Sequence, residues 1–479
     1  MIFVLTLVAS FLMTGAVPQG TNEVPLAQDV RSASTPANQT LPAARTTIQS
    51  APAKFDGRSL SPSASSVRQA AGPALFVQVG RLLADPKTGR IETNKTLVIE
   101  NGRVREILDG FVSGEGKIVD LRNRFVLPGL IDSHVHLTYP DPRQIASSLV
   151  SQSSADKAIL GAQNAYKTLI AGFTTVANTG APEQDAINAV RDGIEKGEIP
   201  GPRIFAAGGV PVLGGHGDVH AFREDINELF AKNSPGLCSG AEDCRRAVRQ
   251  VIKNGADFIK IASTGGVEDQ ARTGLGRTMT DAEIVAIVET AHMLGRQVWS
   301  HAHTTEGINA ALRASVDSIE HGTLMDDESI RLMVKNKANL TPTLAAGEAV
   351  RAQAEHDSSI DPIIRRKALM LLADRSALIR KAHAAGVHFS LGTDAPVIPH
   401  GTNAREFVEF VKVGFTPLDA IRAGTVWAAE HLGMSDRVGS LAPGKAADLV
   451  AVRGNPVNDV SELQRIIFVM KNGKIYVQE

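Results

Sequence analysis

The chain has 479 residues, of which 43% are hydrophobic and 21% are charged. This length and composition suffice for a large buried core and predict one large domain together with a smaller one. The formal net charge is −1 and no long basic run is present, so nucleic acid is excluded as an expected partner and small molecules are the expected substrates.

Residues 1–17 are predicted to be a signal peptide. Residues 2–13 form a short apolar core, and Thr14, Gly15 and Ala16 that follow are small, as at a signal-peptidase site. The first basic residue is Arg31, so the usual positive start is missing, and a retained anchor or a misassigned start is the alternative. We expect an exported protein, periplasmic or secreted, with no membrane contact after cleavage. Residues 18–73 are rich in Ser, Ala, Pro and Thr and are expected to be a disordered linker.

Both ends of the remaining chain have the pattern of a small β-domain. Short strand-like segments separated by turn residues occur at 75–79, 96–100 and 104–108, and similar segments occur at 447–452 and 466–476. We predict that residues 74–124 and 436–479 pair into one discontinuous β-sandwich that flanks the middle of the chain.

Residues 125–435 alternate between strand-like and helical segments. Gly172, Gly255, Gly295 and Gly386 mark points where a helix ends and an apolar strand begins, because glycine tolerates the left-handed conformation past a helix end. Helix starts agree, with a capping box at 280–283 and a Thr-Pro cap at 416–417. The predicted strands are 126–137, 174–177, 203–207, 258–262, 298–301, 318–321, 340–344 and 389–392. Eight such strands predict an α/β fold, a (β/α)8 TIM barrel, whose chemistry lies at the C-terminal strand ends.

The segment His134-Val-His136 in the first of these strands supplies half of a metal site. Residues two apart in a strand point to the same side, so both imidazoles would enter one cavity. The pattern also occurs by chance on strands that bind nothing. The metal interpretation therefore depends on further ligands downstream.

Further candidate ligands stand at the ends of later strands. Each has an ordinary explanation when taken alone, because a lysine can extend to solvent, a strand-end histidine can be hydrogen-bonded and an aspartate can cap a helix. Their shared position at the active end of successive barrel strands favours a metal centre. These residues are Lys260, His301, His321 and Asp394.

With this ligand set, the chain resembles the metal-dependent amidohydrolase superfamily over nearly everything after residue 73. The segments 128–136, 214–218 and 441–449 are most similar to the branch that contains imidazolonepropionase-like proteins, Xaa-Pro and related dipeptidases, and ochratoxin-hydrolysing amidohydrolases. Lys260 stands where dinuclear members carry a bridging carboxylated lysine. The resemblance implies two divalent metal ions, a small amide or dipeptide substrate and a homo-oligomer.

The chemistry of Lys260 is compatible with such a bridge. A lysine ammonium is a poor metal ligand, but its neutral amine can take up carbon dioxide to form an anionic carbamate with two oxygens. One metal would then take His134, His136, the carbamate and Asp394, and the other would take the carbamate, His301 and His321. Zinc suits these ligands best, although manganese, cobalt and iron are not excluded. Asp394 is the expected catalytic residue, which accepts a proton from the attacking hydroxide and delivers it to the departing amine.

Several other polar residues are candidates for contact with the substrate. His303 follows His301 by two positions and is expected to orient a ligand or to meet the substrate. The remaining candidates fall in loops at the active end of the barrel or just beyond the first metal motif, and each is equally compatible with a surface position. They are Tyr139, His216, His220, Arg272 and Arg277.

Cys238 and Cys244 are the only cysteines. A disulfide is reasonable in an exported protein, whereas both would stay thiols in the cytoplasm. A zinc site built on this pair alone lacks two further ligands.

Three functional hypotheses follow. The first is a dinuclear, metal-dependent amidohydrolase that cleaves the amide bond of a dipeptide or N-acyl amino acid, with ochratoxin A included among its substrates. The second is a cyclic-amide hydrolase of the imidazolonepropionase type, which export disfavours because histidine degradation belongs in the cytoplasm. The third is a catalytically silent relative, which the complete ligand set disfavours.

Overall fold

A computed structural model describes residues 74–181, 183–220, 222–268, 274–357, 360–371 and 375–479. The predicted signal peptide, the predicted linker and Arg272 lie outside these residues. Within these ranges, none of the helices combines the length and the apolar character that crossing a membrane requires.

The strands form two sheets, one of seven strands and one of eight. In chain order the strands are β1 (Ala74–Leu82), β2 (Glu92–Glu100), β3 (Arg103–Asp109), β4 (Gly116–Pro128), β5 (Leu130–Val135), β6 (Phe173–Asn178), β7 (Arg203–Gly209), β8 (Phe258–Ala262), β9 (Val298–Ala302), β10 (Ser318–His321), β11 (Asn339–Thr341), β12 (His388–Phe389), β13 (Leu449–Val452), β14 (Phe468–Lys471) and β15 (Lys474–Gln478).

The seven-stranded sheet joins the two ends of the described chain. Its strand order is β15-β14-β13-β4-β1-β2-β3, and β4 pairs in parallel with β1 and antiparallel with β13. Apolar side chains that include Val77, Leu97, Leu449 and Phe468 form a core cluster of its own on this sheet. The two ends therefore do pair, as the sequence predicts, into a sheet separate from the barrel. That this sheet packs as a sandwich stays a prediction.

The eight-stranded sheet is parallel and runs in chain order from β5 to β12. Hydrogen bonds also join its two ends, because Ser133 N donates to Leu391 O at 2.8 Å and His136 N donates to Ala395 O at 2.7 Å. Strands such as β5 and β6 are buried along their whole length, as barrel strands covered on both faces are. The sheet has the form of a TIM-like barrel, and its C-terminal strand ends meet on one side.

Helices connect the strands and cover the barrel. In chain order the α-helices are α1 (Ile145–Ser151), α2 (Ser154–Ile170), α3 (Gln184–Glu195), α4 (Glu224–Asn233), α5 (Ala241–Lys253), α6 (Asp281–Met293), α7 (Thr305–Arg313), α8 (Asp327–Asn336), α9 (Leu344–His356), α10 (Pro362–Met370), α11 (Ser376–Ala384), α12 (Arg405–Lys412), α13 (Pro417–Ala423) and α14 (Val426–His431). Short 3-10 helices occur at Pro142–Gln144 and Val460–Gln464.

The local signals that delimit the helices are confirmed. Thr280 accepts from Glu283 N and the Glu283 side chain accepts from Thr280 N, which completes the capping box of α6. Thr416 caps α13 with Pro417 at its first position. Gly255 and Gly295 follow α5 and α6 with φ of 97° and 68°, so the left-handed conformation that favours glycine is present at both helix ends.

The prediction of one barrel strand over 126–137 is wrong. Pro128 ends β4, which belongs to the seven-stranded sheet and crosses the predicted boundary at 124/125, and the barrel begins only with β5. Gly129 lies between them, where an added Cβ would fall 2.2 Å from Thr174 Oγ1, so the turn leaves no room for a side chain. The last two barrel strands, β11 and β12, are also shorter than predicted. At the end of β11, Thr343 (φ 45°) leaves the extended conformation before α9 begins at Leu344.

Candidate metal centre

Two groups of metal-ligating side chains lie at the C-terminal end of the barrel. One group contains His134, His136 and Asp394. The other contains His301, His303 and His321, and within each group the candidate ligand atoms all lie within 4.8 Å of one another. Imidazole nitrogens and carboxylate oxygens suit zinc and other first-row divalent metals. The residues present therefore fit a metal centre.

Asp394 faces both imidazoles of the first group. Its Oδ1 atom lies 3.3 Å from His134 Nε2 and 3.2 Å from His136 Nε2. Burial raises the pKa of Asp394, but the charge of His134 and hydrogen bonds from His134 and His136 outweigh burial and hold this pKa well below its ordinary value. Two imidazole nitrogens and a charged carboxylate oxygen thus converge on one point.

The three imidazoles of the second group pack against one another. The ring centroid of His301 lies 4.6 Å from that of His303 and 4.7 Å from that of His321. Burial lowers the pKa of His301 and of His321 well below the ordinary value, and neighbouring histidines lower both further. Both rings are therefore neutral near pH 7, which is the form of histidine that binds metals.

Lys260 lies with both groups in one cavity. The rings of His134 and His321 are 5.1 Å apart and so bring the groups into contact, and Lys260 from β8 lines the same cavity. Burial lowers the pKa of Lys260, although the charges of Glu320 and Asp394 oppose this shift. The lowered pKa increases the neutral fraction of the amine, which is the form that reacts with carbon dioxide.

The backbone departs from the extended conformation where two of these residues enter the site. His321 ends β10 with φ 69°, and Asp394 follows β12 with φ 56°. Such left-handed conformations are uncommon for residues other than glycine and concentrate at functional sites. In a regular strand Glu320 and His321 would point to opposite faces. The left-handed conformation of His321 instead lets both side chains reach His134.

Hydrogen bonds at Nδ1 orient three of the imidazoles. His136 Nδ1 donates to Gly180 O at 3.1 Å. His321 Nδ1 and His303 Nδ1 bond threonine hydroxyls, Thr343 Oγ1 at 2.7 Å and Thr323 Oγ1 at 2.8 Å. Each bond leaves Nε2 as the remaining ligand atom, which is how outer groups commonly orient metal-binding histidines.

Two buried carboxylates of the site were not found by sequence reasoning. Asp132 accepts from His134 N, from the Thr393 hydroxyl at 2.7 Å and from Asn403 Nδ2 at 2.7 Å, and so ties β5 to the segment that carries Asp394. Burial raises the pKa of Asp132 to about 6. Glu320 contacts His134 directly. Asp132 was within reach of the sequence, because it shares the period-2 face of His134 and His136.

The centre opens into a cavity of about 1440 Å³ that contains the predicted substrate-contact residues Tyr139, His216, His220 and His303. The Tyr139 ring lies 5.1 Å from that of His136, and the His216 ring stacks on that of His301 at 4.2 Å. His220 Nε2 donates to Gly215 O at 2.9 Å within its own loop.

Arg277 does not line this cavity. Its Nε donates to Met279 O at 2.6 Å and its guanidinium pairs with Asp281. The charge of Arg277 is therefore used at the start of α6, and contact of this residue with the substrate stays a prediction.

Cys238 and Cys244 are joined as a disulfide, with their Cα atoms 4.9 Å apart. Cys238 N donates to Pro211 O and Leu213 N donates to Cys238 O. The disulfide therefore links α5 to the segment that leads from β7 into the His216 loop.

Comparisons with known proteins agree with this architecture. The profile of the amidohydrolase family matches residues 125–476. The ochratoxinase of Aspergillus niger is 31% identical over 373 residues, which cover 73% of this chain and 75% of that enzyme. The crystal structure of a Xaa-Pro dipeptidase with bound methionine in its active site is similar with a TM-score of 0.78 and 38% identity, over 84% of this chain and 100% of that one. The imidazolonepropionase of Geobacillus thermodenitrificans is 23% identical over 82% of this chain and 91% of its own.

Proposed function

Because this chain belongs to the amidohydrolase family and is a hydrolase that acts on amide bonds, we propose that its substrate is a dipeptide or an N-acyl amino acid. The observation that carries this proposal is the presence of two ligand groups, one with a charged carboxylate, in a single cavity of about 1440 Å³. The similarity to a Xaa-Pro dipeptidase and to an ochratoxinase supports this substrate class and makes ochratoxin A a candidate.

We propose that the centre holds two divalent cations, with zinc the best match to the ligands. A carboxylated Lys260 would be shared between them. His134, His136 and Asp394 would complete the first site, and His301 and His321 the second. When bound, such cations lower the pKa of water and polarise the scissile carbonyl. Tyr139, His216, His220 and His303 line the cavity around these ligands and are proposed to contact the substrate.

The proposed proton transfer is assigned to Asp394. Its low pKa keeps the carboxylate charged at neutral pH, so it can accept a proton from the attacking water. The same carboxyl group then delivers that proton to the nitrogen of the departing amine. The Nε2 atoms of His134 and His136 both lie within 3.3 Å of Oδ1, so this oxygen is on the side of the proposed first cation.

A substrate panel tests the proposed function. Purified protein loaded with zinc should release the C-terminal amino acid from dipeptides or N-acyl amino acids, and a chelator should abolish this release until zinc is restored. A panel of cyclic amides serves as the comparison, because a relative at 23% identity is an imidazolonepropionase. Hydrolysis of cyclic amides alone would favour that second function and contradict the proposal.

Export and assembly remain proposals. The Cys238–Cys244 disulfide supports export, because disulfides persist in oxidising compartments. Two freely alkylated thiols in protein recovered from outside the cytoplasm would contradict this link. A homo-oligomer is likewise proposed, and sedimentation as a single chain at all concentrations would contradict it.

A further inference from the structure

Glu320 is a buried carboxylate beside the first ligand group. Its side chain is 0% exposed, and its Oε2 atom lies 2.5 Å from His134 Nδ1. Its other oxygen, Oε1, accepts from Ser318 Oγ at 2.6 Å. Among the described residues, His134 is the only basic side chain in contact with Glu320. Burying a charged carboxylate costs free energy unless hydrogen bonds or opposite charges offset the loss of water. The buried position of Glu320 is therefore a sign of a functional role.

The bond to Glu320 determines how His134 presents its ring. If Nε2 of His134 binds a metal, the proton that the ring retains lies at Nδ1, where the Glu320 carboxylate accepts it. Nε2 faces Asp394 Oδ1 at 3.3 Å. In the other three imidazoles, Nδ1 is hydrogen-bonded to a backbone carbonyl (His136) or to a threonine hydroxyl (His303 and His321). Among these four imidazoles, His134 alone has a carboxylate at Nδ1, and such a partner makes the ring a stronger metal ligand.

The contact also spans the interior of the barrel. Glu320 lies in β10 and His134 in β5, which are not neighbours in the sheet. The residue after Glu320 is His321 of the second ligand group. One side chain thus connects a strand that carries the first group to a strand that carries the second.

We propose that Glu320 is a positioning residue that fixes the tautomer and orientation of His134 and adds a negative charge next to the first cation site. This inference rests on the proposed function. Glu320 touches only one ligand of the first site, so it should set the affinity of the cation held by His134, His136 and Asp394. The cation held by His301 and His321 should depend on it much less.

Titration of metal-free protein with Zn²⁺ and with Co²⁺ tests this inference, with calorimetry for both affinities and the visible spectrum of Co²⁺ for the ligand environment. Glu320→Gln keeps the shape of the side chain and removes its charge. We expect one of the two affinities to fall about tenfold to a hundredfold, the usual loss when a group that orients a metal ligand is changed. The other affinity should remain within about threefold, and the Co²⁺ bands of the weakened site should shift.

Two variants frame the result. Glu320→Asp keeps the charge, so it should retain more of the affinity for the cation held by His134, His136 and Asp394 than Glu320→Gln does. The Asp variant also provides a test if the Gln variant folds poorly. Glu283→Gln is the matched control, because that carboxylate accepts from Thr280 N and Gly240 N at 2.8 Å, outside the lining of the cavity, and should leave both affinities unchanged.

Unchanged affinities in Glu320→Gln, an equal loss at both sites, or an equal effect of the Asp and Gln variants would overturn the inference. The titration uses no substrate, so a failed substrate panel would leave its result standing. Conversely, Glu320 variants with unchanged metal affinities would leave the proposed function intact. Wild-type protein that binds no cation would overturn both.

Discussion

Lys260→Ala is expected to release both metal ions and to abolish hydrolysis. The substitution removes the amine that forms the proposed carbamate, so the two cations lose the anion that they share. We expect both affinities to fall by at least about a hundredfold, the upper end of the loss caused by changing a group that merely orients a ligand. Short carboxylic acids such as formate or acetate should partly restore metal and turnover by occupying the vacant bridge.

Lys471→Ala is the matched control for this experiment. Lys471 is also a buried lysine, 6% exposed, but it lies in β14 of the seven-stranded sheet, and its amine donates to Gly201 O. The control should retain full metal content, even if its folded state is less stable. Metal content and turnover should be measured on the same preparations of both variants. Tight binding of both metals by Lys260→Ala would show that the carbamate bridge does not exist.

Asp394→Asn is expected to lose turnover by more than its loss of metal explains. The amide oxygen can still approach the cation beside His134 and His136, but the amide cannot accept the proton of the attacking water. General acid–base catalysis is typically worth about a hundredfold to ten-thousandfold, which sets the expected fall in kcat at saturating metal.

The matched control is Asp448→Asn. Asp448 is 4% exposed and accepts from Arg203 Nη1 at 2.9 Å and from Asn472 N at 2.7 Å, in the part of the chain that carries the seven-stranded sheet. This change removes a paired buried carboxylate without touching the centre, so kcat should stay near that of the wild type. If Asp394→Asn retained near-normal kcat with full metal, another group would have to move the proton.

The barrel and most of its ligand positions were predictable because local signals agree with the global fold. Glycines past helix ends and caps at helix starts delimit the βα units, and β8 and β10 have the bounds that the apolar pattern indicates. Once the strands are ordered, residues at their C-terminal ends must share one face. That is why Lys260 and His321, far apart in sequence, were expected to lie together.

The transition from β4 to β5 was not predictable from apolar pattern. Residues 125–127 and 130–131 are all apolar, and a buried strand of either sheet would show the same composition. The only local sign of the change of sheet is Pro128-Gly129. Proline has no amide hydrogen for a ladder and glycine permits the close approach to Thr174, so the pair marks where one sheet ends.

Glu320 escaped sequence reasoning for a conformational reason. Regular alternation assigns opposite faces to adjacent residues, so placing His321 inside the barrel would put Glu320 outside. The left-handed backbone of His321 lets both side chains lie inside the barrel, and the residue types around it do not predict that conformation. His303, by contrast, was expected near His301, because it follows that residue by two positions. Its grouping with His321 is a result of the three-dimensional arrangement.

The proposed pair of cations is tested by the number of metal ions per chain that full activity requires. Metal-free protein should be titrated with zinc in bicarbonate buffer while hydrolysis and bound zinc are followed together. Activity should rise until about two zinc ions are bound per chain and then stay constant. Full activity with one ion bound per chain, and no gain on binding a second, would contradict it.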